Sequence, residues 1–295
     1  MRKTMVKVKR AEGAESLIEA MPFIQKYRGH LFVIKYGGSA MDDDQVVGRM
    51  LRDIVFLEAV GINPVVIHGG GKAITDRMRD EGLRAQFVKG LRVTDEKAIG
   101  LVEEVLDTRI NPKIVRAIEE YGGRASGLSG TKVFRGKKLA PVHDGKEEVD
   151  LGFVGEVTGT ETADIERIVG DEAVPVISPL AAGEDGRTLN VNADLAAGSI
   201  AGALKASKLI YLSDVPGIMR DPKEADSLIP SVNRSVIARL IQEEVIEGGM
   251  IPKVTSAVDA LDRGVGKVHF IDGRVPHALL LEIFTNDGIG TEILP

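Results

Sequence analysis

The stretch VVIHGGGKAI, residues 65–74, runs an apolar strand (Val65, Val66, Ile67) into three consecutive glycines, then into a helical pattern with Ile74 and Met78 on one face. Glycine permits a tight turn and lets backbone N–H groups approach a ligand, and the helix that follows aims its partial positive end at the same spot. The guest this suits is an anion. Two familiar nucleotide patterns nevertheless fail. For a P-loop, Val66 stands where glycine is required and Ala73, not Ser or Thr, follows Lys72; for the dinucleotide fingerprint, Ile74 occupies the place of the last glycine. A purely structural strand-to-helix turn is the competing reading, and the entropic cost of three successive glycines weighs against it.

Working outward, the chain has 295 residues, 43% of them hydrophobic, and a formal net charge of −6. That is room for one large α/β domain or two smaller ones, with the composition of an ordinary soluble protein and no basic excess suggesting a nucleic-acid partner. Cysteine is absent, which removes disulfides and thiolate metal sites and permits a cytoplasmic setting. The five histidines are scattered without H-E-x-x-H spacing, so a catalytic metal held by the protein is not expected. The N-terminus, MRKTMVKVKR, lacks the apolar core and cleavage site of a signal peptide, and no window approaches 18 apolar residues. No membrane segment is expected.

Periodicity predicts an amphipathic helix near 14–27 (Leu17, Ile18, Met21, Ile24), the strand LFVIKY at 31–36, and a helix at about 43–60 before the opening strand. Helical patterns follow at about 95–107 and 112–121, the second opening on Pro112. Next come the short strand RASGLSG, a hairpin in KVFRGKKLAPV and the strand FVGEV. Alternation then resumes: strand VPVISPLA, helix 193–205, strand KLIYLSD, helices near 234–246 and 250–263, strand KVHFIDG and helix 277–285. Strands alternating with helices imply a largely parallel sheet covered on both faces, with ligands beyond the carboxyl ends of its strands.

The polar residues at those ends form a short set. Strand 31–36 delivers Lys35 and then Gly37 and Gly38; the opening strand delivers Gly69 to Gly71; TLNVNAD places Asn190, Asn192 and Asp194 before a helix. SDVPGI offers Asp214 and a Pro-Gly turn, and GGMIPK puts Lys253 near a helix start. Singly, each has a bland explanation: Lys35 snorkels, Asn192 or Asp194 caps its helix, Arg92 pairs with a surface carboxylate, Lys253 is one more solvated lysine. Together, two glycine-rich strand ends, two lysines and an aspartate are the parts that hold a polyphosphate and neutralise charge during its transfer.

IKYGGSAM, VVIHGGGKAI, KGLRVTD, INPKIV, LGFVGEV, LNVNAD, LSDVPGI and GGMIPKV, in this order, resemble the acetylglutamate kinases of the amino acid kinase family, from about Leu31 to the C-terminus. An aspartokinase would bring appended regulatory domains for which no length remains, and a uridylate kinase would not carry GLRVT with NVNAD. The resemblance implies a three-layer αβα sandwich with a central, mostly parallel sheet. It implies an N-terminal oligomerisation helix at 1–28 and a kinase domain at 29–295, divided into an acetylglutamate lobe (about 29–204) and an ATP lobe (about 205–295). The implied reaction moves the γ-phosphoryl of ATP, carried with Mg2+ held mainly by its phosphates, onto the side-chain carboxylate of N-acetyl-L-glutamate, the second step of arginine biosynthesis.

Carried over residue by residue, the resemblance gives Lys35 and Lys253 the stabilisation of the transferring phosphoryl group, with Asp194 orienting both. Gly70 and Gly71 offer N–H groups to the substrate, Arg92 grips its α-carboxylate and Asn190 completes that site. Gly37 and Gly38 lie against the ATP phosphates, while Asp214, Gly217 and Met219 line the nucleotide pocket. The N-terminal helix and the run HALLLEIFTNDGIGT resemble those of arginine-sensitive hexamers, in which Glu282 receives the inhibitor's guanidinium and the backbone around Gly288 its other groups. Some members bind a PII-type signalling protein; no residue here bears on that. Two rival readings are a non-catalytic arginine sensor, which has no reason to keep Lys35, Asp194 and Lys253 together, and a kinase for a related acylated amino acid of the 2-aminoadipate type.

Overall fold

A computed structural model describes residues 2–38, 41, 43–144 and 147–295. Strand Leu31–Tyr36 lies inside an eight-stranded sheet and alternates between two apolar layers, Phe32, Ile34 and Tyr36 facing one and Val33 the other. From one edge the strands are Ser231–Asn233, Thr291–Leu294, Lys267–Asp272, Lys208–Ser213, Leu31–Tyr36, Asn63–His68, Val174–Ile177 and Ala125–Leu128. All neighbours are parallel except Lys267–Asp272 and Thr291–Leu294, so the two strands at one edge oppose the other six. Helices Asp44–Ala59, Asn111–Glu120 and Ala278–Phe284 pack on one face, Ala193–Ala203 and Met250–Asp262 on the other. This is the expected three-layer sandwich. Burial on both faces is why the strands read as almost unbroken apolar runs.

The chain leaves Leu31–Tyr36 toward one side of the sheet and Lys208–Ser213 toward the other, so a topological switch point opens between their carboxyl ends, where such sheets place their ligands. Gly37, Gly38 and Asp214 follow those ends directly. No helix among the described residues is long and apolar enough to cross a membrane.

Three local expectations are corrected. KVFRGKKLAPV forms no hairpin: Phe134–Lys138 joins Val154–Thr160, Thr188–Val191 and Leu180–Gly183 in a closed four-stranded barrel, and the hairpin that does form pairs Val142–Asp144 with Glu147–Val149. Burying Phe134 in long-range pairing outweighs a local turn. VPVISPLA is two strands broken at Ser178 and Pro179, the second part entering the barrel. The two helices around residue 108 are one rod, Glu96–Glu103 and Asn111–Glu120, joined by a π-helical stretch, Glu104–Ile110. Its wider turns precede Pro112, whose missing N–H breaks the α-helical pattern there. The eight-residue helix Ala163–Gly170 has no counterpart in the periodicity reading.

The first helix extends over Arg2–Tyr27. Its last turns pack Ala20, Phe23, Ile24 and Tyr27 against the sheet's apolar layer, whereas Leu17, Ile18 and Met21 stay 63%, 63% and 45% exposed.

Candidate active site

The alternation that buries Val33 also puts Lys35 on the face covered by Ala193–Ala203 and Met250–Asp262. Helix Ala193–Ala203 is built from small residues and is buried almost throughout. A Cβ at Gly198 would collide with Ser256 Oγ, so this glycine is what lets the two helices lie so close. Ser256 Oγ donates to the carbonyl of Asp194 (2.8 Å), as does Tyr211 OH (3.2 Å). Asn192 is the cap, accepting from the N–H groups of Asp194 (2.8 Å) and Leu195 (3.2 Å). That frees the Asp194 carboxylate for other work. Lys253 Nζ donates to its Oδ2 at 2.6 Å, and Lys35 Nζ lies 2.8 Å from its Oδ1.

Burial lowers the pKa of Lys35, Asp194 opposes that shift and the charge on Lys253 adds to it. Burial pushes the Asp194 carboxyl up, yet the ammonium groups of Lys35 and Lys253 outweigh it and hold the carboxyl below its ordinary value. The Asp194 carboxylate is therefore ionised at neutral pH and unsuited to taking a proton. Two cations on one anion leave a net positive centre at the crevice.

Lys35 and Asp194 share a cavity of about 220 Å³ with Gly70, Gly71, Arg92 and Asn190. A Cβ at Gly70 would come within 2.7–2.8 Å of the terminal methyl groups of Leu106 and Ile110, which a side chain there would have to push aside. Gly71 opens the helix Gly71–Asp80. Arg92 sits on the two-stranded ribbon Phe87–Val88 and Leu91–Arg92 with its guanidinium over the Phe87 ring. It donates to the carbonyl of Gly71 (2.7 Å) and to Thr75 Oγ1 (2.8 Å), and no carboxylate pairs with it among the described residues. A buried cation with neutral partners invites an anionic ligand. Asn190, on the barrel strand Thr188–Val191, donates from Nδ2 to Thr94 Oγ1 (3.2 Å).

Gly37 and Gly38 border the same crevice. A Cβ on Gly37 would fall 2.7 Å from Lys35 Nζ, and Gly38, at φ +79°, lies beside Asp214. Gly217 packs so tightly on Thr291 that a Cβ would collide with its hydroxyl, which accepts from the Ile218 N–H (2.9 Å). Met219 bridges to Leu228. The loop after Lys208–Ser213 is thus backed by the reversed edge strands.

Glu282 and Gly288 are elsewhere. Glu282 Oε2 accepts from the N–H groups of Ile289 (2.7 Å) and Gly290 (3.2 Å), beside Gly288, and its Oε1 lies 2.6 Å from His269 Nδ1. His269 Nε2 is 2.8 Å from Lys208 Nζ, which stands over the Tyr27 ring. Burial draws the Lys208 pKa down to about 8, lowers that of His269, and is overcome at Glu282 by the His269 contact. Lys208 begins the strand whose other end reaches the crevice, so this cluster lies at the opposite rim of the sheet. Sequence reading missed Lys208, His269 and Tyr27; the available signal was a histidine amid the buried residues of KVHFID.

A mostly parallel sheet with glycine-rich strand ends, two lysines on one aspartate and an adjoining cavity defines a phosphoryl-transfer fold, and the chain belongs to the amino acid kinase family, whose model matches residues 30–272. Over 285 residues it is 52% identical to the acetylglutamate kinase of Akkermansia muciniphila, covering 96% of both chains. It is 49% identical over 288 residues to that of Methanocaldococcus jannaschii, again 96% of each. Among solved structures it is similar to the N-acetylglutamate synthase of Neisseria gonorrhoeae complexed with coenzyme A and N-acetyl-glutamate, at TM-score 0.82 and 27% identity, over 96% of this chain. The chain spans 63% of that longer protein. The same synthase complexed with coenzyme A and L-arginine matches at TM-score 0.79 and 26% identity, over 95% of this chain and 65% of that one.

Proposed function

We propose that this enzyme transfers the γ-phosphoryl group of ATP to the side-chain carboxylate of N-acetyl-L-glutamate, a reaction of arginine biosynthesis. The observation that carries the mechanism is the Asp194 carboxylate held between Lys35 and Lys253 at the edge of a cavity that also contains Arg92 without a carboxylate partner. An acceptor carboxylate, with an ordinary pKa of ~4.3, is already ionised at neutral pH and needs no general base. The obstacle is repulsion between anions. Arg92 takes the α-carboxylate and Asn190 the acetylamino side, while the N–H groups of Gly70 and Gly71 hold the reacting end. A carboxylate oxygen then bonds to the γ-phosphorus as the bond to the bridging oxygen breaks, and ADP departs with the negative charge. Lys35 and Lys253 neutralise the equatorial and leaving oxygens, and Asp194 keeps both ammonium groups in place.

Gly37 and Gly38 lie along the phosphates, with Asp214, Gly217 and Met219 beside the nucleotide. Mg2+ supplies further charge neutralisation and would be held chiefly by phosphate oxygens, since the Asp194 carboxylate is engaged by its two lysines. In this reading residues of about 29–204 form the acetylglutamate lobe and about 205–295 the ATP lobe. The test is ADP release with MgATP and N-acetyl-L-glutamate, L-glutamate or L-aspartate. Turnover on the acetylated substrate alone is expected; none on it refutes the reading.

A second reading, feedback inhibition by L-arginine in a hexamer, is favoured by the Lys208, His269 and Glu282 cluster abutting the first helix at Tyr27. A guanidinium would compete for the Glu282 oxygens now held by His269 and the Ile289 and Gly290 N–H groups. Leu17, Ile18 and Met21 would be covered by a neighbouring subunit. Glu282→Gln should raise the arginine concentration for half-inhibition at least tenfold, and removal of residues 1–27 should abolish assembly and response together. An unchanged response in both variants refutes it.

A further inference from the structure

His68 ends strand Asn63–His68 immediately before the glycine loop, and the transfer just described makes no use of it. Its ring is fully buried. Nδ1 lies 3.1 Å from the carbonyl oxygen of Gly69, and Nε2 lies 3.4 Å from Asn111 Nδ2. The same Asn111 nitrogen donates to the carbonyls of Val176 (2.8 Å) and Leu128 (3.4 Å), which identifies it as the amide nitrogen. The two hydrogens of that nitrogen are shared among three neighbours, so the firm constraint comes from the other side of the ring: the Gly69 carbonyl oxygen only accepts, and Nδ1 must carry the proton. The neutral Nδ1–H tautomer satisfies both contacts, and a protonated ring would set one N–H against another. Burial acts in the same direction, bringing the His68 pKa down to about 4 against the weaker opposing influences of Gly69 and Asp107.

The Gly69 carbonyl and the Gly70 N–H belong to one trans peptide and point in opposite directions. With the carbonyl held on the buried ring, the N–H turns outward to the cavity that Gly70 lines. The loop is pinned at two more places: the Gly69 N–H donates to the Tyr36 carbonyl (2.7 Å), and the Gly70 carbonyl accepts from the Ile74 N–H (2.9 Å). No acceptor for the Gly70 N–H is found among the described residues.

We propose that His68, held by Asn111 as its Nδ1–H tautomer, is the positioning residue that aims the Gly70 N–H at the reacting oxyanion. This rests on the reading that Gly70 binds the reacting end of the substrate. The geometry specifies where a donor is required. Asparagine places its amide nitrogen near the position of Nδ1, and glutamine near that of Nε2.

The experiment combines ring-15N spectra of the histidine-labelled enzyme with kinetics of His68→Asn and His68→Gln. The His68 signals, identified by their loss in His68→Asn, should show a neutral ring protonated on Nδ1 throughout about pH 5.5–8. His68→Gln should lose at least tenfold in kcat/KM for N-acetyl-L-glutamate, as a fraction of the ~10²–10³ for removing such a donor outright, with KM for MgATP little changed. His68→Asn should stay within about fivefold of the native enzyme. A ring protonated on Nε2, equal losses in the two variants, or a parallel rise in KM for MgATP overturns the proposal. An Nδ1–H ring with native kinetics in both variants overturns it at the level below, because Gly70 is then not the donor.

Discussion

Replacing Asp194 by asparagine preserves shape while removing the one negative charge between two ammonium groups. At 2.6 and 2.8 Å, and at an effective dielectric constant of ~20, each ion-pair attraction is about 6 kcal/mol before desolvation. The measurable loss is smaller, because breaking a buried pair by removing one partner typically costs about 3–5 kcal/mol. Bound MgATP, with phosphates to occupy the abandoned lysines, should recover part of it. The variant should therefore melt lower when free and gain more from MgATP than the native enzyme does. Turnover should fall by about 10²–10³, the scale of losing one preorganised charge stabiliser. The pH dependence carries the sign. Burial already lowers the Lys35 pKa and Asp194 is the principal influence raising it, so without that carboxylate the alkaline limb should move to lower pH. The acidic limb should stay where it was. ADP release at saturating substrates over about pH 5.5–9.5 measures both limbs. Turnover within about threefold of native, or loss of the acidic limb with the alkaline one unmoved, would refute the orienting role.

Lys35→Ala and Lys253→Ala should each lower kcat on the order of 10²-fold in the same assay, and near-native turnover in both would remove the charge-stabilisation argument. Arg92→Lys keeps the charge and loses the planar fork, so KM for N-acetyl-L-glutamate should rise at least tenfold with KM for MgATP unaffected; coincident rises would place Arg92 outside the substrate site. Asp53, buried on Asp44–Ala59, contacts His277 Nδ1 at 2.6 Å and accepts from the Leu279 and Leu280 N–H groups, and burial lifts its pKa from 3.8 to about 6. The folded value exceeds the unfolded one, so its contribution to stability is fully present below about pH 4 and is lost as pH rises through about 6. Urea unfolding should show Asp53→Asn gaining on the native enzyme by up to about 3 kcal/mol from pH 4 to 7, at ~1.4 kcal/mol per unit; parallel curves would refute this.

The lysine–aspartate cluster at the crevice was legible because its parts sit where local signals are strongest. Glycines punctuate the ends of LFVIKY and VVIH, and the asparagine, aspartate and second lysine lie at helix starts, so strand-end logic gathered residues separated by more than 200 positions. The choice between Asn192 and Asp194 as the cap was not legible, since either type caps well; the hydrogen bonds decide for Asn192. The barrel was hidden for another reason. Its pairings join residues 134–136 to residues near 160 and 182, and no local pattern announces contacts at that range. Lys208 and His269 were passed over because attention to strand ends ignores strand beginnings. His68 was quoted inside the decisive motif yet given no task, because a donor hidden behind a loop leaves no trace in spacing.

The contact of Gly198 with Ser256 also governs more than packing. It acts as a gauge between two helices, one carrying Asp194 and the other Lys253, and the thickness of a single methyl group sets how far the lysine must reach. A displacement of ~1 Å in a reacting assembly can cost on the order of 10² in rate. Tolerance to mutation at this buried position is therefore set by the seating of Lys253 on Asp194 as well as by the packing of the core.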